Sequence, residues 1–381
     1  MSDATITFGR LDDSELDPEQ LDAFFAGLDA HTSTSLERNL DDHDGFQDRL
    51  YRDYGRGLDA MDLLYFFALE AVNWARDEVH EAQVNNDDRE DFDQYYAVVR
   101  GLTARALTAY KEVVWLLRGG FPNGALTRAR FLHELFVTAA VLAEHGSPEG
   151  NHPELVERYL EHRDVFTRAS ADDLMATGAL DPAEYFDQDV LNGLARLRAD
   201  LLARYGRPFG GMWGWAAPLF PGESRITMKM MGKLVLPEAH YFYGMTNAHV
   251  HAGSEGWYET VVIREHETIL TSGPTNLGLA LPAVLATGFL LEIAQVVVPS
   301  RIERDGAAKD TGAYFQAALA RTSRSINDRM WHGEEVVKQT ELDFQERVRQ
   351  GVTKVRPRSP RIRGLALWMA HRIERGLRRT L

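Results

Sequence analysis

The sequence predicts an all-α protein, a multi-helix bundle built around one buried apolar helix. Three observations carry that prediction. Apolar residues recur at helical spacing through most of the chain, as at 61, 64, 65, 68, 69, 72 and 75. The stretch "LGLALPAVLATGFLLEIAQVVV" at 277–298 is apolar on every side, as the central helix of a bundle must be. The periodic segments are bounded by helix starts and stops such as Asp17-Pro18, Gly119-Gly120 and Gly146.

Taken in order, Asp17 caps a first helix with Pro18 at its first position, where the missing N–H is not needed. A long helix over 49–84 ends at the polar run "NNDDRED". A second long helix, 92–118, stops at the glycine pair, and a third lies within "FPNGALTRARFLHELFVTAAVLAEHG", with Asn123 as its cap and Gly146 as its stop. Amphipathic helices follow over 152–170 and 181–206. "RPFGGMWGWAAPLFPGES" at 207–224 interrupts them as an irregular Trp/Gly-rich loop, the kind of segment that presents large side chains for function. A short helix precedes Pro237, and another runs from there to about 251. The β-branched, roughly alternating "WYETVVIREHETILTSG" predicts a loop or one short β-hairpin. The 277–298 stretch is nearly long enough to span a membrane, but it carries Pro282, Glu292 and Gln295 and no other segment resembles it, so the core of a bundle is the expected place. A long polar helix over 311–350 precedes "SPRIRGLALWMAHRIERGLRRTL", a basic amphipathic helix with apolar residues at 362, 365, 366, 369, 373 and 377. By sequence character the chain divides into an acidic helical region (1–90), a core helical region (91–300), the polar helix (301–350) and the basic tail (351–381).

Composition narrows the function classes. With 381 residues, 44% hydrophobic and 26% charged, the chain has the make-up of a globular protein with a sizeable core. It has no cysteine, which excludes disulfides, thiol nucleophiles and thiolate metal sites and suits a reducing cytoplasm. The net charge of −15 is unevenly spread: residues 1–100 hold 25 acidic against 8 basic residues, and residues 351–381 hold nine basic against one acidic. The basic end suits either an anionic surface, a membrane included, or the chain's own acidic half. No glycine-rich phosphate loop, dinucleotide fingerprint, nucleophile elbow or His-Glu-x-x-His occurs, so no cofactor is expected; no DNA-binding module is visible.

Two helices carry the candidate chemistry. Tyr243, Asn247 and His251 are spaced i, i+4, i+8 and drift by only about 80°, so they share one face. His249 points to the far side of the same helix, so "HVH" converges on a metal only if the helix ends at Val250 and Glu255 joins; no metal is expected. Arg130 and Glu134 are i, i+4 on a helix whose neighbours Phe131, Leu132, Leu135, Phe136 and Val137 point to burial. Polar side chains in such surroundings must satisfy one another, so the two helices are expected to face each other. Arg128-x4-His133 superficially fits the Arg-x4–6-His pattern of the helical HEPN ribonucleases, but in a regular helix those side chains diverge by about 140°.

"GGFPNGALTRARFLHELF", "MWGWAAPLF" and "YGMTNAHVHAG", in that order, resemble the uncharacterised-domain family numbered 5677, a group of helical bacterial proteins without a settled activity. The resemblance covers roughly residues 95–300. It places the family's polar positions on Arg130, Glu134, Tyr243 and His251, and it departs at Asn247, where the family usually has serine.

Two functions fit these observations. In one, the cluster is a pocket for a small anionic ligand or RNA: Arg130 binds the anion, Glu134 orients it, His251 is acid or base, Tyr243 donates a hydrogen bond, and Asn247, Trp213 and Trp215 contact the ligand. In the other, the cluster is structural, and the protein is a non-enzymatic scaffold whose basic C-terminal helix docks a partner or a membrane surface.

Overall fold

The computed structural model describes residues 17–84, 89–176, 187–237, 261–264, 267–270, 272–304 and 307–351. Eight α-helices are described: α1 (Pro18–Gln83), α2 (Arg89–Arg118), α3 (Pro122–His145), α4 (Leu155–Ala176), α5 (Gln188–Tyr205), α6 (Met228–Val235), α7 (Ala280–Val297) and α8 (Thr311–Arg349). Two 3₁₀ turns, Arg207–Gly210 and Gly214–Leu219, form the Trp/Gly loop. Strands β1 (Val261–Arg264) and β2 (Glu267–Leu270) pair antiparallel, Val261 opposite Leu270, and give the expected hairpin. A second antiparallel pair, β3 (Ile302–Arg304) and β4 (Ala307–Lys309), was not expected, although the intervening Asp305-Gly306 is a strong two-residue hairpin signal.

The chain divides into two compact units, Met1–Arg52 and Asp53–Leu381. In the first, the Asp17 carboxylate accepts the Glu19 N–H at 3.0 Å, so Asp17 is the cap and Pro18 the first helical residue, as expected. α1 also takes in residues 32–48, which the sequence reading left unassigned; no proline interrupts them.

In the second unit, the rest of α1 forms an antiparallel four-helix bundle with α2, α7 and α8. Asp62 on α1 takes Lys111 and Arg118 of α2, the latter at 2.8 Å. Along α1 and α8, Tyr54 meets Glu334 near one end and Trp74 meets Phe315 toward the other. Tyr110 of α2 bonds Thr287 of α7 at 3.3 Å, and Tyr96 donates to the Val297 carbonyl at 3.1 Å. Gln316 of α8 reaches the Val298 carbonyl just beyond α7. α7 is therefore flanked by α2 and α8, and α3 lies along it in parallel, with Pro122 beside Gly278 at one end and Phe136 stacked on Phe289 further along. Ala283, Ala286, Phe289, Leu290, Ile293 and Ala294 are all buried, so the helix that is apolar all round is the core of the bundle.

α3 differs from expectation at its start. Phe121 occupies the cap position, Pro122 follows, and no side chain caps the helix; Asn123 instead lends its carbonyl to the Thr127 hydroxyl. Proline at the first position already has the helical φ and lacks one of the N–H groups a cap would satisfy, so the boundary moves two residues earlier.

Candidate functional site

Arg130 and Glu134 lie on the same face of α3, one turn apart, joined by a 3.4 Å contact from Nε to Oε1. The Arg130 side chain is only 12% exposed and that of Glu134 26%. Burial pushes the Glu134 carboxyl above its ordinary range, and the Arg130 charge and hydrogen bond offset only part of that. The helix is held on its other faces: α2 packs on one side, α7 on another, and α6 approaches through Gly232, beside Val137 and His133. His133, one position from Glu134, is 2% exposed and meets the Phe289 ring edge-on at 5.1 Å. Tyr243, Asn247 and His251 lie outside the described residues, as do His249 and Glu255.

The Arg128/His133 pattern does not come together. Arg128 pairs with Glu112 of α2 and lies over the Phe131 ring at 4.9 Å, while His133 is buried against α7. The helical turn separates them, as their spacing requires.

The Trp/Gly loop is more strongly built than the sequence suggests. Trp215 is 1% exposed and packs edge-on against Tyr159, so it is a core residue; Trp213 is half-buried and Met212 is exposed. The loop is held from α4. Arg158 Nε donates to the Trp215 carbonyl at 2.9 Å, and a terminal nitrogen donates to Gly214 at 3.3 Å. The same guanidinium lies over the rings of Tyr205 and Phe209 at 4.4 and 5.1 Å. One turn on, His162 Nε2 lies 3.1 and 2.9 Å from the carbonyls of Phe209 and Gly211, so it carries the proton. Burial lowers the His162 pKa against the pull of those two carbonyls. A side chain at Gly214 would strike the Pro208 carbonyl and sit 2.6 Å from the Phe209 Cα, which is why glycine occupies that position.

Sequence reasoning missed Arg158, His162 and Glu334, three of the seven buried polar residues described. Arg158 and His162 are i, i+4 on an otherwise ordinary amphipathic helix, and their role is set by a loop some fifty residues away. For Glu334 a signal existed in Gly333, a helix-interior glycine that marks close backbone approach. A Cβ there would lie 2.7 Å from the Asp53 carbonyl oxygen and the Tyr54 ring. Among the described residues no three His, Asp or Glu side chains converge as a metal set.

The fold and these buried polar groups define an all-α bundle with a half-buried Arg/Glu pair on one helix. Residues 96–268 match the model of a family described as a family of unknown function (DUF5677), the one the sequence resembles. No curated protein and no solved structure matches the chain.

Two carboxylates predict opposite pH responses. Burial raises the Asp62 pKa, but hydrogen bonds from Lys111 and Arg118 outweigh it and leave the net value lowered. Its stabilising contribution is present above the unfolded value of 3.8 and is lost as pH falls below that. Glu134 is raised, so the folded state holds its proton more tightly, and stability falls as pH rises through the window above 4.5. In urea titrations across pH 2–7, Asp62→Asn should therefore flatten the acid limb, and Glu134→Gln should remove a loss seen on the way to neutrality. Parallel responses of the two variants would contradict this assignment.

Proposed function

We propose that the chain binds an anionic ligand at a polar site built on α3, a phosphodiester such as RNA being the class the residues suit, and hydrolyses it by acid–base chemistry in the cytoplasm. Arg130 is the anion-binding group, Glu134 orients it, His251 is the acid or base, Tyr243 donates a hydrogen bond, and Asn247 and Trp213 contact the ligand. The single observation that carries this reading is the state of the Arg130–Glu134 pair. A guanidinium mostly withdrawn from water shares one face of α3 with a carboxylate that burial disfavours. Such a guanidinium suits an oxyanion, whose oxygens match its planar fork of donors. A histidine near neutrality is the usual group for moving the proton in diester cleavage.

The test is a screen of RNA oligonucleotides for binding and turnover with wild type, Arg130→Ala and His251→Ala. Wild type should cleave; His251→Ala should lose about 10²–10⁴ in rate with binding retained, and Arg130→Ala should lose binding. If the variants differ from wild type in stability alone, the site is structural.

That outcome would favour the second reading, a non-enzymatic scaffold. It is supported by apolar side chains left in water on adjoining turns of α1 and α2, with Phe66 55% and Trp115 67% exposed.

A further inference from the structure

A cleft of about 340 Å³ opens between the last turns of α1 and the first turns of α2, lined by Arg76, Asp77, His80, Asp93, Tyr96 and Arg100 together with Val79 and Ala97. It shares no residue with the Arg130 site. The Tyr96 ring is fixed by its hydroxyl bond to the Val297 carbonyl, and the Arg100 guanidinium lies over it at 5.8 Å. The Arg100 Nε is buried and finds no acceptor among the described residues. A guanidinium on the lining whose donors are not all used suits an oxyanion entering the cleft. Arg76 adds a second guanidinium, bonded at 2.7 Å to its sequence neighbour Asp77. Both side chains of that pair are about half exposed or more, so the contact is weak and readily exchanged.

Asp77 shows where an anion is favoured. Its carboxyl is held below the usual range by the Arg76 hydrogen bond first, and the charges of Arg100 and His80 act in the same direction. Arg76, Arg100 and His80 thus share with that carboxylate the lining of a cleft that has room for a further small group.

We propose that this cleft is an anion site for a dissolved phosphate group, free or on a small monoester. Arg76 and Arg100 hold the phosphate oxygens, His80 adds charge when protonated, and Asp77 is a resident competitor that releases Arg76 when the ligand arrives. Asp93, also on the lining, disfavours ligands of higher negative charge.

The competitor role gives the test two opposite signs. Thermal unfolding of the full chain is followed against inorganic phosphate at constant ionic strength, chloride making up the balance, with glycerol phosphate as a second arm to distinguish a monoester from free phosphate. Wild type should be stabilised saturably. Arg100→Gln should weaken the half-saturating concentration by about tenfold or more, and Asp77→Asn should tighten it several-fold. Should Arg100→Gln fail to fold, Arg76→Gln, at an exposed position, is expected to weaken it in the same direction. A response to phosphate no larger than to chloride, or equal saturation in wild type and the arginine variants, overturns the proposal, as does an Asp77→Asn variant that binds more weakly than wild type.

Discussion

Replacing Glu334 with alanine is expected to lower the stability of the folded chain by about 3–5 kcal/mol, counted as the orphaned donors it leaves behind. Glu334 is 3% exposed, in the middle of α8, and its carboxylate serves the start of a different helix. It accepts the Gly278 N–H at 2.9 Å and the Ala280 N–H at 3.3 Å, and the Tyr54 hydroxyl donates to it at 2.9 Å. The first N–H groups of any helix lack intrahelical partners and carry partial positive charge, so a carboxylate there both satisfies donors and meets the helix dipole favourably. α7 needs this service because Leu279 stands at its cap position and no side chain there forms a capping bond. The central apolar helix is thus capped from 54 to 56 residues away. Gly278 turns the chain into α7 with φ of +82°, a conformation that favours glycine. Tyr54 keeps a second acceptor, the Asn276 carbonyl at 3.0 Å, so it is not stranded by the substitution. Glu334→Gln should lose less than alanine, because the amide oxygen still accepts one N–H. Urea unfolding reads both: the midpoint should fall with the slope unchanged. A loss for alanine below about 1 kcal/mol, the net worth of one ordinary hydrogen bond, would show that α7 starts without this cap.

The second large effect is expected at Arg158. Arg158→Met keeps most of the side-chain length but removes the donors, leaving the carbonyls of Trp215 and Gly214 without them in a buried setting. It also removes the guanidinium from the faces of Tyr205 and Phe209. Two lost acceptor partners and the cation–π contacts together place the cost at about 3 kcal/mol. Burial lowers the Arg158 pKa, and the neighbouring Tyr205 and Glu154 offset only part of that. The loss should be local first. Amide exchange should quicken in α4, α5 and the Trp/Gly loop before it changes in α7, and Trp215 emission should shift toward that of an exposed indole. Arg158→Lys should not rescue, since an ammonium cannot reproduce the planar fork that reaches two successive carbonyls. Uniform acceleration of exchange across the bundle would instead make Arg158 a global rather than a local tie.

Much of the fold was legible in the sequence because helix formation leaves a local trace. The 3.6-residue period marked α2, α3 and α8, the Asp17-Pro18 pair marked the start of α1, and an unbroken apolar stretch marked α7 as the core. The alternation near 257–273 allowed a loop or a short hairpin, and the pairing of β1 with β2 makes it the hairpin. Half of the candidate site was legible for the same reason: Arg130 and Glu134 share a face whatever α3 packs against. The other half, Tyr243, Asn247 and His251, rests on the sequence argument alone, since it lies outside the described residues. The Trp213/Trp215 distinction was not legible, because two tryptophans in one irregular loop have no period to separate inside from outside. The choice is made by Tyr159 and Arg158, which hold Trp215 in and leave Trp213 half-buried.

By itself, then, the sequence determined most of the helices that are described, which helix is apolar all round, and where charge of each sign accumulates, since these follow from local backbone geometry and the preference of apolar faces for burial. The tertiary structure alone decided which faces meet: that α7 is capped by a carboxylate from α8, that the Trp/Gly loop hangs on α4, and that Arg128 turns to Glu112 and away from His133. The physical reason is that a helix's own pattern fixes its buried face but not the partner that covers it. That pairing depends on close approach and hydrogen-bond satisfaction between residues tens to hundreds of positions apart, and no local period records it.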